Sequence, residues 1–456
     1  MSKSLVLGIL IAPIAGFGSF LFISGIVIAA VVHYLLHRYV FDRVTPANEL
    51  PLPGPHITHG NYTDDEESQL HPKSKRAYPI RPSSMEVTTD LAYYAGLLGL
   101  KLDEYEITTK DGFIIVLQHL YRPSSKAEPP HAASKKKPVL FVHGLMQSSA
   151  SFLTSGFKSL AYFMVDNGYD VWLGNNRCGF NAKHEVYDTF DPKMWDWDLN
   201  EMAQYDIPAM IHFIQTHNNH VEEGHDGRTG KVTIMAHSQG TAQCVYLMSK
   251  QHSNPCIANV DKCILFAPAV YGGPLLNDKL FIKFMRSLPD PLYDLFFGIN
   301  SFMPILNAMR RLTYKMSGFG LFSYIVFSYL FDWNDYLWDI EIRKFHFLFS
   351  PVYVSNKLMK WWLRAKHGAG IEWNKPIIKD DGPWFTEESP DMFMIIGGKD
   401  NLVNGDMFVD RMAHVERQME GRWDYIKLEE YSHLDVLWAD DILDRVGHLI
   451  LDFLQQ

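Results

Sequence analysis

At 456 residues the chain can hold one large core plus a substantial insertion, and 47% hydrophobic with 21% charged residues is a globular composition. A net charge of -10 gives no basic surface of the kind that binds nucleic acid. Four cysteines, Cys178, Cys244, Cys256 and Cys263, form no CxxC pair and no metal-finger spacing, so they read as buried free thiols.

The chain opens with 28 uncharged residues, Leu5 to Val32. A bilayer crossing needs ~20, and the apolar core of a cleaved signal peptide is roughly 7–15. His33, Tyr34, Arg38, Tyr39 and Arg43 follow as interfacial aromatic and basic groups. Residues 1–43 are therefore expected as a membrane anchor. Pro13, Gly16 and Gly18 leave open a helical hairpin within one leaflet as an alternative to a single span. Residues 44–90 are rich in Pro, Ser, Asp and Glu and read as a linker or peripheral wrap. Their histidines, His56, His59 and His71, read as solvated loop residues.

From Leu91 the pattern becomes that of a packed domain. Leu91 to Leu100 reads as a short helix, and Glu104–Thr109 and Phe113–Tyr121 as strands joined at Asp111-Gly112, a pair that tolerates positive φ. Pro138–Val142 is a continuous apolar run, the mark of a strand buried on both faces. Asp170–Leu173 is a further strand, and Glu201–Gln215 a helix that Pro208 should bend or restart. His217, His220 and His225 follow in a polar stretch and read as surface residues. Lys231–Met235 reads as a strand and Thr241–Lys250 as a helix, with Ala236-His237-Ser238-Gln239-Gly240 between them. Lys262–Ala267, Asp391–Ile396 and Trp423–Leu428 are expected strands, and Ile442–Leu454 a closing amphipathic helix. Strands alternating with helices imply a mostly parallel, doubly wound sheet with its loops gathered at the strand C-termini.

Residues 271–388 separate two of these strands, far more chain than an ordinary connection uses, so they form an inserted cap. Between Phe281 and Ser350, 19 of 70 residues are Phe, Tyr or Trp, against 14% overall. Such a segment supplies a core of its own and an apolar wall for a lipid. The body of the domain is then 91–270 and 389–456.

A strand, a turn with Ser238 at its apex and Gly240 two residues later, then a helix, is the nucleophile elbow of the α/β-hydrolase fold. Small residues are needed at 236 and 240 because strand and helix approach closely there. A serine hydroxyl needs a base within hydrogen-bond reach, most often an imidazole held by an acid. In this fold the chain order is Ser, acid, His. Asp400 and His433 each follow a strand end and fill these roles; Asp406, Asp410 and His414 compete but read as helical. The oxyanion of the tetrahedral intermediate needs two donors. Gln239, after the serine, supplies one backbone N–H, and Leu145, after His143-Gly144, the other, with Met146 as the alternative.

Thr109–Phe113, Val142–Leu145 with Ser148-Ser149, Trp172–Asn175 with Arg177, and Asp198–Asp206 stand in one order with His237–Thr241, Leu265–Ala269, Gly397–Asp400 and Tyr431–Asp435. By these motifs the chain, from about Leu97 onward, resembles the acid lipases, the α/β-hydrolase family of gastric and lysosomal lipases and fungal steryl ester hydrolases. The resemblance implies nucleophile, acid and base at Ser238, Asp400 and His433, oxyanion donors at Leu145 and Gln239, and no cofactor. Ala236 in place of the elbow glycine, and Cys178 before Gly179, depart from the pattern without removing a catalytic group. The long N-terminal apolar segment looks like that of the membrane-bound fungal enzymes of lipid droplets. That implies a lipid-droplet or endoplasmic-reticulum membrane setting, a cytosol-facing catalytic domain, and a steryl ester or triacylglycerol substrate. An acyltransferase and a non-catalytic lipid-binding protein are the readings from other classes.

Overall fold

The computed structural model describes residues 3–38, 57–59, 76–123, 136–217, 230–249, 254–364 and 382–456. His56, His71, His220 and His225 lie outside them. The body is a ten-stranded sheet built from β1 (Ile57–His59), β2 (Lys101–Thr108), β3 (Phe113–Tyr121), β4 (Pro138–Val142), β5 (Asp170–Asn175), β6 (Lys183–His184), β7 (Val232–His237), β8 (Val260–Phe266), β9 (Asp391–Gly397) and β10 (Trp423–Leu428). The order is β1-β10-β9-β8-β7-β4-β5-β3-β2, with β6 paired to β3. From β5 to β10 every neighbouring pair is parallel, while β2, β3 and β1 add antiparallel pairings at the edges.

The apolar runs form the middle of the sheet because both faces are covered. Every residue of β4 and β7 is buried. Leu140, Val142, Ile234 and Ala236 pack into one hydrophobic core, and Val139, Phe141 and Met235 into the other, on the opposite face. The helices α2 (Leu91–Leu97), α3 (Leu160–Asp166), α4 (Ile207–His217) and α5 (Gln239–Met248) follow the strands as expected. Before α4 the chain forms a π-helical turn at Met202–Asp206, and the α-helix restarts at Ile207, one residue ahead of Pro208. Residues 76–90 lie against the body, with Ala77, Tyr78 and Met85 buried.

Between β8 and β9 lie the helices α6 (Leu280–Ser287), α7 (Asp290–Phe297), α8 (Ile305–Thr313), α9 (Phe319–Phe331), α10 (Arg343–Leu348) and α11 (Asn356–Arg364). After β9 come α12 (Gly405–His414) and the closing α13 (Ile442–Gln455). The apolar α9 has 13 residues, about 20 Å at 1.5 Å per residue and too short to cross a bilayer.

The helix α1 (Lys3–Leu36) is continuous for 34 residues and runs unbroken through Pro13, so the hairpin alternative is not the conformation here. Its length, about 50 Å, exceeds the roughly 30 Å of a bilayer hydrocarbon core. It is not held apart from the body. Ala15, Ser19, Ile23 and Ala30 form a buried stripe at helical spacing. The Ser19 hydroxyl donates to the Phe296 carbonyl at 2.9 Å. Phe22 sets its ring edge-on to Phe297, centroids 5.1 Å apart. A Cβ on Gly18 would stand 2.8 Å from Phe296 Cδ1, so a side chain there would force the Phe296 ring to shift. The opposite stripe, Leu7, Leu10, Ile14, Phe17, Leu21 and Ile28, is exposed.

Candidate active site

Strand register sets the site. Val142 pairs with Ala236, His237 with Phe266, Phe266 with Ile395, and Gly397 with Leu428. The segments that follow β4, β7, β9 and β10 therefore emerge along one edge of the sheet. They carry Leu145, Ser238, Asp400 and His433.

Ser238 has φ 52° and ψ -121°, a left-handed turn residue between β7 and α5. The turn is pinned at both ends. Its N–H donates to the Phe266 carbonyl at 3.0 Å, and its own carbonyl accepts the Thr241 N–H and hydroxyl at 2.8 and 2.6 Å. Strand and helix approach so closely that a Cβ at Gly240 would lie 2.4 Å from the Val142 carbonyl oxygen. Such a strained residue persists only where its surroundings over-determine it, and such residues cluster at functional sites.

Ser238 Oγ stands 2.8 Å from His433 Nε2, and His433 Nδ1 stands 2.7 Å from Asp400 Oδ2. The other Asp400 oxygen accepts the Leu402 and Val403 N–H groups at 2.9 and 3.1 Å. A carboxylate so held accepts from Nδ1–H, which leaves Nε2 with a lone pair toward the serine. The competing residues stand elsewhere. Asp406 pairs with Lys427, and the exposed Asp410 pairs with His414.

Leu145 and Gln239 border the same cavity as Ser238 and His433. Gln239 opens α5, and the first N–H groups of a helix have no carbonyl one turn back to bond. Its side-chain oxygen accepts the Trp362 indole N–H at 2.7 Å, which ties the elbow to α11. His237 sits beneath, its ring nitrogens 2.9 Å from Gln147 Oε1 and 3.1 Å from the His433 carbonyl. Gln147 Oε1 also accepts the Gly144 N–H at 3.1 Å. The loop after β4, the elbow and the histidine loop are thus fastened together.

The cavity above Ser238 encloses about 260 Å³ and is lined almost wholly by apolar side chains. The cap roofs it, with the Trp333 ring nearly parallel to that of His433, centroids 6.1 Å apart. Two parts of this wall escaped the sequence reading. Trp333 was one aromatic among many in the cap. Phe22, Ile23, Ile26 and Val27 of α1 reach the cavity from a segment read as a separate anchor.

Below the site, Arg177 is buried between Asp206 and Asp111, at 2.8 Å from each. Burial opposes its charge, but the two carboxylates outweigh it and hold the guanidinium protonated. Its guanidinium carbon lies over the Phe113 ring at 4.3 Å, a cation–π contact that packs the charged head itself against the core. It braces the loop after β5 against the helical turn before α4. His217, read as a surface residue, instead ends α4 within ring contact of Tyr105 and Trp172. All four cysteines are free and buried, as expected.

Three buried histidines give the fold an acid limit. Burial lowers His143 to about 4 and His346 to about 3, and pushes His237 well below its ordinary value. Unfolded, each titrates near 6.5. Below that pH the unfolded chain binds protons that the folded chain refuses, so stability falls as pH falls toward the folded values. With three such groups the slope reaches about 4 kcal/mol per pH unit. Chemical denaturation at pH 7.5 and pH 5 should show a much lower midpoint at pH 5. His346→Phe, which removes one group, should flatten the fall.

Residues 91–156 match the family model described as a partial alpha/beta-hydrolase lipase region. Sterol esterase 2 of Saccharomyces cerevisiae is 38% identical over 81% of this chain and 72% of its own length. Human gastric triacylglycerol lipase is 25% identical over 83% of this chain and 94% of its own. A probable lipase of Schizosaccharomyces pombe is 27% identical over 80% and 77%. The chain belongs to this α/β-hydrolase lipase family and is a carboxylic ester hydrolase.

Proposed function

We propose that the protein is a membrane-anchored serine esterase that hydrolyses steryl esters to sterol and fatty acid. Ser238 is the nucleophile, His433 the general base and then general acid, and Asp400 the acid that orients and steadies the imidazolium. The backbone N–H groups of Leu145 and Gln239 receive the oxyanion. Ser238 Oγ attacks the ester carbonyl as His433 Nε2 takes its proton; that proton then goes to the departing sterol oxygen. Water, deprotonated by the same nitrogen, attacks the acyl-enzyme and releases the fatty acid. The observation that carries the reading is the hydrogen-bonded chain Ser238–His433–Asp400 opening into a cavity of apolar side chains.

Anchoring rests on α1, whose outward stripe is apolar over more than a bilayer's thickness. The steryl ester reading draws on the likeness to a sterol esterase, and triacylglycerol is the alternative substrate of the same triad. Membranes holding wild type or Ser238→Ala are given emulsified steryl oleate and triolein, with sterol and fatty acid measured. Sterol release by wild type alone is expected. Fatty acid from triolein without sterol from the steryl ester would overturn the substrate.

A further inference from the structure

A membrane anchor need only hold an enzyme at a surface, yet α1 does more. Phe22, Ile23, Ile26 and Val27, on two successive turns, line the cavity that holds Ser238 and His433. Facing them are Phe322 and Val326 of α9, which lies alongside α1. His33 and Tyr329 are in ring contact farther along the same pair, at 5.6 Å. The apolar character continues from the cavity to the outside. Phe284 and Phe322 on the flanking cap helices are 45% and 42% exposed, whereas Ile28, one residue beyond Val27, is 65% exposed and does not line the cavity. The wall of the catalytic cavity and the outward apolar face of α1 are two sides of one helix.

We propose that α1 is part of the substrate-binding site, and that the apolar body of a lipid ester enters from the bilayer through the α1–α9 seam and packs on Ile26 and Val27. The proposal rests on the lipid esterase reading above. The occupant it names is a long-chain lipid ester, because the seam beside the cavity is lined by apolar side chains, and the charged Lys279–Asp332 pair stands at its far end, against Tyr329. An ester with a short acyl chain and a water-soluble alcohol reaches Ser238 without filling that wall. The two kinds of substrate therefore separate binding on α1 from chemistry at Ser238.

The test uses the full chain in phosphatidylcholine vesicles, with Ile26→Trp and Val27→Trp set against Ile28→Trp, which differs by one residue and points outward. Each is assayed on steryl oleate, triolein and p-nitrophenyl butyrate, and vesicle association is read by flotation. Filling the wall should lower kcat/KM on the long-chain esters about tenfold or more, the scale at which one or two methylenes discriminate substrates. Butyrate turnover should stay within about twofold and flotation should not change. Ile28→Trp should match wild type throughout. Equal effects of Ile26→Trp and Ile28→Trp on the long-chain esters would overturn the proposal, as would equal losses on long and short substrates.

If Ile26→Trp proves unfolded by its thermal transition, Ile26→Ala decides. An unchanged long-to-short ratio in that variant overturns the wall, and an altered ratio supports it. Wild-type turnover of triolein but not of steryl oleate would remove the steryl ester reading while leaving the wall to be judged on triolein. Ser238-dependent butyrate cleavage with no long-chain turnover would remove both.

Discussion

Ser238→Ala and His433→Ala should each lower kcat by about 10⁶, and the double variant should be no slower than either alone, because the two groups act as one unit. Without the hydroxyl there is no atom for the imidazole to activate. Without the imidazole the hydroxyl keeps its proton and attacks as a poor nucleophile. Residual turnover is expected from the proposed oxyanion donors and the apolar cavity walls, which both variants retain. The fold should tolerate both changes. Among the described residues the Ser238 hydroxyl bonds only to His433, while the strained turn is held by backbone contacts to Phe266 and Thr241. Thermal transitions close to wild type would separate lost chemistry from lost structure. A double variant slower than either single variant, with the two fold-losses multiplying, would mean that the residues act independently.

Much of this arrangement was legible because the central strands obey a simple constraint. β3, β4 and β10 occupy the residues expected for them: β4, covered on both faces, is apolar throughout, whereas β3 and β10 mix buried with half-exposed positions and end where loop residues begin. The positions of Asp400 and His433 followed from the same logic, as polar residues just beyond strand ends that register brings to one edge. The placement of α1 was not legible. An uncharged run of 28 residues has one composition whether it faces lipid or protein, and hydropathy does not distinguish the two. A signal was present in Ala15, Gly18 and Ser19, small residues on one face that allow a second helix to come close. Likewise, the contact of Trp333 with His433 depends on how the cap folds over the sheet edge, and aromatic content alone does not report it. The short β1, paired antiparallel to β10, lay in a stretch whose composition pointed to a linker.

Asp400→Asn should lower kcat by about 10⁴ with KM little changed, while Asp406→Asn should leave both near wild type. The structure gives the reason in terms of one proton. Asp400 Oδ1 accepts two backbone N–H groups, from Leu402 and Val403. An asparagine keeps those bonds only by turning its own oxygen toward them, since an amide NH₂ does not accept. Its NH₂ then faces His433 Nδ1, where Asp400 Oδ2 stood at 2.7 Å. To accept from that NH₂, Nδ1 must give up its hydrogen, and the neutral imidazole carries it on Nε2 instead, directed at Ser238 Oγ. The base is then present, in place and in the wrong tautomer. Asp406, exposed and paired with Lys427 on the flank of the site, has no such link to the imidazole. Near-normal turnover in Asp400→Asn together with a collapse in Asp406→Asn would show that the acid had been assigned to the wrong carboxylate. Loss in both would instead mean that α12, which carries Asp406 and packs on β9, supports the strand end that leads to Asp400.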